Sequence, residues 1–168
     1  MLAAAPAAAH AAAPNVDKAA EEENGLLGIF GGKPKYVFLF IGDGMGIAEV
    51  TNANLFKRQI LKHEEPLRMT TFPVASMATT HSASSDVTDS AAAGTALASG
   101  YKTKNSMLGM GPDSIAVTSM AKTLFDDGFG VGLVTSVAID DATPGAFYAH
   151  VDNRGKYHAV SYTHLRAH

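Results

Sequence analysis

The stretch Lys35 to Ile41 (KYVFLFI) constrains the fold most, because it is nearly all aromatic, β-branched or otherwise apolar. That is the pattern of a strand buried on both faces of a parallel sheet. It stops at Gly42, and from Gly46 to His63 the pattern becomes that of an amphipathic helix, with Lys, Arg and His in its last turn to complement the dipole. A second short strand is expected at Pro73 to Thr79, then a loop rich in Ser and Thr. An Ala-rich helix follows from Ala91 to Ser99, stopped by Gly100 and carrying Asp89 and Ser90 at its start. Val117, Met120, Ala121, Leu124 and Phe125 recur at helical spacing, so Ser114 to Asp127 is expected to be a helix with one core-facing stripe. Gly128 ends it, and Gly130 to Val137 (GVGLVTSV) is a further buried strand leading into the loop DDATPG. Strand and helix in alternation argue for an α/β three-layer sandwich with a mainly parallel sheet. In such sheets ligands bind beyond the carboxyl ends of the strands.

Composition narrows the function. The chain has 168 residues, 46% apolar and 17% charged, as in soluble globular proteins. Its 16 acidic and 13 basic side chains leave a formal charge of −3, which offers no electrostatic footprint for nucleic acid or an anionic membrane. A small molecule is the expected partner. With no cysteine, disulfides, thiolate zinc sites and cysteine catalysis are excluded, and a metal must use oxygen or imidazole ligands. No apolar run approaches the length of about 20 residues that spans a membrane. The opening MLAAAPAAAHAAAP has small residues in A-x-A order, like the end of a secretory signal, but lacks a basic start and a strong apolar stretch. A disordered Ala/Pro-rich tail explains it equally well. Residues 1–34, closing with EEENG and FGGKP, read as this signal remnant or a flexible lead-in.

Three polar clusters follow expected strands or open expected helices. Asp43 lies in GDGMG, where flanking glycines allow a tight turn and leave room for an ion beside the carboxylate; a turn Asp or helix cap is the plainer explanation. Ser90 in VTDSAAAGTA stands at a helix N-terminus, whose orphan N–H groups and dipole suit a phosphoryl oxyanion; an N-cap serine beside a capping Asp89 fits too. Asp141 and Thr143 in DDATPG place a carboxylate and a hydroxyl within reach of one hard cation. Equally, Thr143 suits an N-cap before Pro144 at the first helical position. Arg154 offers a planar fork for two phosphate oxygens, or is a surface arginine. His81 and His150 are read as structural, since metal sites need several convergent ligands.

FLFIGDGMG, VTDSAAAGTALASGYKT and DDATPGAFYAHVDNR resemble the three signature segments of the alkaline phosphatase family, in the family's order and approximate spacing. The resemblance covers Lys35 to about Tyr157, so residues 35–157 are expected to be the N-terminal part of that catalytic domain. It implies phosphate monoester hydrolysis through a phosphoserine intermediate, with two zinc ions and one magnesium ion. By that resemblance Ser90 is the nucleophile and a zinc ligand, Asp43 bridges zinc and magnesium, and Asp141 and Thr143 are magnesium ligands. Arg154 grips the substrate phosphate, and Asp89 positions that arginine without touching metal. The resemblance also implies secretion or a periplasmic location, and often a homodimer. The serine in TDSAAAGTA favours this branch over phosphodiesterase and sulfatase relatives.

The family's remaining zinc ligands and its acidic magnesium ligand fall in a part beyond this chain. The segment SYTHLRAH does not follow the family pattern, and residues 158–168 are expected to be a tail from a truncated or misread end. The competing expectation is therefore a catalytically incompetent fragment that at most binds a cation or phosphate weakly.

Overall fold

The computed structural model describes residues 35–166, and side chains through residue 162. The expected lead-in, residues 1–34, lies outside the described residues. The chain divides into two compact units, Met1–Ile41 and Gly42–His168.

In the first unit the described residues 35–41 form no helix and belong to no ladder. Phe40 is 85% exposed and Val37 78%. The expectation of a strand buried on both faces is thus not met among the described residues: a strand is made by partners, and none of the described residues is paired with this segment.

The second unit is built on five α-helices and one 3-10 turn among the described residues: α1 (Ile47–Gln59), the turn Arg68–Thr71, α2 (Ser90–Ser99), α3 (Met120–Asp126), α4 (Ala142–Gly145) and α5 (Tyr157–Arg166). α1 starts where Glu49 accepts a hydrogen bond from the Gly46 N–H at 2.9 Å and ends with Lys57 and Arg58, as its charge pattern predicts, yet it buries no residue. α2 starts at the cap Asp89, whose carboxylate accepts from the Ala92 N–H at 2.9 Å, and stops at Gly100, which takes the left-handed φ of 77° that ends the helix.

Neither Pro73 to Thr79 nor Gly130 to Val137 forms a strand, and Val134 is fully exposed. Ladder pairing among the described residues amounts to two isolated antiparallel bridges, Leu108 with Val151 and Met110 with Ala116. The second bridge explains why the helix expected from Ser114 begins only at Met120. Ser114 has a φ of 66°, and the Val117 N–H donates to the Gly109 carbonyl at 2.9 Å, so this half is held as a turn and bridge. Ser119 then caps α3, accepting from the Lys122 N–H at 3.2 Å and donating to the Phe147 carbonyl at 2.6 Å. The stripe read as core is open: Met120, Leu124 and Phe125 are all exposed.

The core that does form lies around α2, α4 and α5. Ala91, Leu108, Ala142, Ala146, Ala149, Val151 and Val160 pack together, with Tyr148 against them. Small residues dominate because backbones come close here. A Cβ at Gly94 would stand 3.0 Å from the Ala146 Cβ, and one at Gly145 3.2 Å from Val160 Cγ1. The segment after Tyr157 forms α5, and its Val160 is completely buried.

Candidate active site

Asp43 is presented by a turn. The Met45 N–H donates to the Gly42 carbonyl at 3.2 Å, and Gly44 takes a φ of 68°, a conformation costly for a residue with a Cβ. The turn leaves the Asp43 side chain exposed and free to meet two other segments. Ser90, the first residue of α2, donates its hydroxyl to Asp43 Oδ1 at 3.1 Å, across 47 residues of sequence. Thr143, inside α4, donates its hydroxyl to Asp43 Oδ2 at 2.8 Å, across 100 residues. Both oxygens of one carboxylate are therefore engaged by hydroxyls from separate elements.

Asp141, not Thr143, caps α4, accepting from the Ala142 N–H at 2.7 Å. With the cap supplied by its neighbour, the Thr143 hydroxyl is available to Asp43. Arg154 lies between the two capping carboxylates. Its Nη2 donates to Asp141 Oδ1 at 3.0 Å, and its Nη1 lies 3.7 Å from Asp89 Oδ2. All three side chains are about one-third exposed or less, so this cluster is partly screened from water. The closer contact of Arg154 is with Asp141, whereas the resemblance pairs it with Asp89.

Two residues that the sequence did not single out complete the frame. The Ser106 N–H donates to Asp89 Oδ2 at 2.9 Å and its carbonyl accepts from the Arg154 N–H at 2.7 Å. Asn105 bonds the backbone just before Ser90, accepting from the Asp89 N–H at 3.3 Å and donating to the Val87 carbonyl at 3.0 Å. Asn105 and Ser106 sit only just past the segment VTDSAAAGTALASGYKT, but an Asn-Ser pair in a polar stretch carries no signal of its own. The two histidines stay apart from the cluster's hydrogen bonds. The His81 carbonyl accepts from Lys102 Nζ, and His150 Nδ1 lies 2.7 Å from the Gly109 carbonyl, which can only accept, so that nitrogen carries the hydrogen.

The family model for alkaline phosphatase matches residues 34–166. The chain belongs to the alkaline phosphatase family. Alkaline phosphatase 4 of Drosophila melanogaster is 37% identical over 133 residues, covering 73% of this chain and 22% of that protein. Among solved structures, the cold-active alkaline phosphatase of the psychrophile Shewanella sp. superposes with a TM-score of 0.70 at 30% identity, over 76% of this chain and 32% of that one. A mutant of the alkaline phosphatase from the Antarctic bacterium TAB5, solved with Mg bound, matches with a TM-score of 0.65 at 32% identity, over 75% of this chain and 35% of that one. These neighbours are alkaline phosphatases of α/β fold, whereas the described residues of this chain form only two isolated β-bridges. The chain spans about a quarter of the length of the curated alkaline phosphatases it matches. The match runs past Tyr157, where the family pattern was expected to end, and takes in α5. No helix among the described residues is long and apolar enough to cross a membrane.

Proposed function

We propose that this chain carries the phosphoryl-accepting half of a metal-dependent phosphomonoesterase, with Ser90 as nucleophile. The observation that carries the reading is the shared carboxylate: Ser90 and Thr143 both bond Asp43, at 3.1 and 2.8 Å. Because Ser90 donates its hydrogen to Asp43 Oδ1, the lone pairs of its oxygen are turned away from the carboxylate and open to an incoming phosphorus. Ser90 also begins α2, whose positive end favours the oxyanion. In the first step Ser90 Oγ loses its proton as it bonds phosphorus, the ester P–O bond breaks, and the departing alcohol oxygen takes up a proton. Water then cleaves the phosphoserine, releasing phosphate and restoring the hydroxyl. Arg154, held by Asp141 and Asp89, is the group proposed to orient phosphate oxygens, a reading its planar fork supports. Recognition of the phosphoryl group alone leaves the alcohol unread, which favours a broad range of phosphate monoesters.

The donor set of Asp43, Thr143 and Asp141 is all oxygen and suits a hard cation such as Mg2+. Such a cation supplies positive charge that lowers the serine pKa and stabilises developing negative charge. The zinc pair is a poorer fit. Asp43 and Ser90 are two ligands where a zinc site takes three or four, and no group of three His, Cys, Asp or Glu that could hold a metal exists among the described residues. No step here is derived through zinc. That shortfall favours a second reading, in which the chain binds Mg2+ or phosphate weakly without turnover. A periplasmic or extracellular location and a homodimer belong to the same proposal, on the family resemblance alone.

The test is hydrolysis of 4-nitrophenyl phosphate with added Mg2+ and Zn2+, alongside mass-spectrometric search for phosphoserine at position 90. Ser90→Ala is expected to lower turnover at least about 10³-fold and abolish the label. Hydrolysis that survives Ser90→Ala sinks the nucleophile assignment. Mg2+-dependent phosphate binding without hydrolysis establishes the second reading.

A further inference from the structure

Asn105 makes no hydrogen bond to the Ser90 hydroxyl or the Arg154 guanidinium, yet it bonds the backbone on both sides of the residue before the cap. Its Oδ1 accepts from the Asp89 N–H at 3.3 Å, and its Nδ2 donates to the Val87 carbonyl at 3.0 Å. The side-chain amide thus bonds the backbone as a neighbouring strand would, taking one N–H and one C=O two residues apart. Its own N–H donates to Ser84 Oγ at 3.0 Å, which fastens the same loop at a second place. The next residue continues the clamp. Ser106 bonds the Asp89 carboxylate through its N–H and the Arg154 backbone through its carbonyl, at 2.9 and 2.7 Å. One dipeptide therefore holds the entry to α2 and the backbone of the arginine.

We propose that Asn105 is a positioning residue, which sets the entry of the chain into α2 and so the direction of the Ser90 hydroxyl relative to Arg154. The consequence for phosphate rests on the function proposed above; the consequence for the helix cap does not. No other side chain of this size replaces it without loss. Aspartate keeps the acceptor for Asp89 but turns a second acceptor onto the Val87 carbonyl, and alanine removes both bonds.

The experiment is amide hydrogen exchange by NMR on the full 168-residue chain and its Asn105→Ala and Asn105→Asp variants, with inorganic phosphate titrated in parallel. The readouts are the Ala92 and Ala93 amides, which bond the Asp89 carboxylate and carbonyl and not Asn105. The reciprocally bonded Leu108 and Val151 amides report whether the fold survives. Exchange at Ala92 and Ala93 is expected to speed up about tenfold in Asn105→Ala, with Leu108 and Val151 little changed. Phosphate is expected to bind about tenfold more weakly in that variant. Asn105→Asp decides if Asn105→Ala loses the Leu108 and Val151 protection. Unchanged exchange at Ala92 and Ala93 overturns the proposal, and altered exchange with unaltered phosphate affinity overturns its link to the oxyanion. Absence of phosphate binding by the unmodified chain counts against the proposed function, while the exchange readout still decides the role of Asn105.

Discussion

Asp43 is the residue on which the site turns, and the sequence showed it only as a candidate. GDGMG announces a tight turn, and a strand-like run before it raises the interest of its carboxylate, but an ordinary turn Asp has the same sequence context. What singles it out is that Ser90 and Thr143 converge on it, a relation that no local pattern encodes. Tyr148 shows the same dependence on surroundings. Its hydroxyl donates to the Ile139 carbonyl at 2.6 Å, and its pKa is raised above 10.0 by burial first and by the charge of Asp140 second. A raised folded-state pKa means that the stability tied to the neutral phenol is complete below the unfolded value and is lost as pH rises through the folded one. Tyr148→Phe is therefore expected to cost about 1 kcal/mol near neutral pH and to flatten the fall in melting temperature above about pH 10. Thermal melts across that range check it, and an unchanged alkaline slope would show that this phenol is not the titrating group.

At the scale of elements, the close contact of α2 with α4 is what brings Ser90 and Thr143 to one carboxylate. Gly94 makes it possible, since a Cβ there would lie 3.0 Å from the Ala146 Cβ and 3.6 Å from the Thr143 Cα. Gly94→Val forces a branched side chain between the helices and is expected to cost about 2 kcal/mol by urea denaturation. If α2 and α4 are held apart in the variant, phosphate binding should weaken as well; full stability with full binding would mean that the helices shift without consequence. α2 was legible to within a residue because its cap and its stop are both chemical signals, Asp89 and Gly100. α3 was half legible. The apolar period over Ser114 to Asp127 is real, but the Met110 with Ala116 bridge and the Ser119 cap take the first half out of the helix.

At the scale of the whole molecule, the large apolar side chains left open among the described residues include those the sequence assigned to buried strands and to the face of α3. Phe38 is 77% exposed, and Phe125 61%. Exposed apolar side chains in such number drive association. In sedimentation velocity the 168-residue chain is expected to form concentration-dependent assemblies and to bind 8-anilinonaphthalene-1-sulfonate. Phe38→Lys with Val134→Lys is expected to reduce both, since the two positions are exposed and charges block edge-to-edge pairing. A monodisperse monomer with a sharp cooperative melt would contradict this.

The sequence by itself determined the family, because three motif segments in order are a property of residue identity, and it determined the helix ends that rest on a cap or a glycine. Only the tertiary structure decided that Asp43 is shared by two hydroxyls, that Arg154 leans on Asp141, that Asn105 and Ser106 hold the loop before Ser90, and that α3 loses its first half. Nor did strand character in the sequence lead to a sheet among the described residues. The reason is common to all of these: a ladder, an ion pair and a shared carboxylate each need a partner distant along the chain, and a local pattern states what a residue prefers but not which partner reaches it.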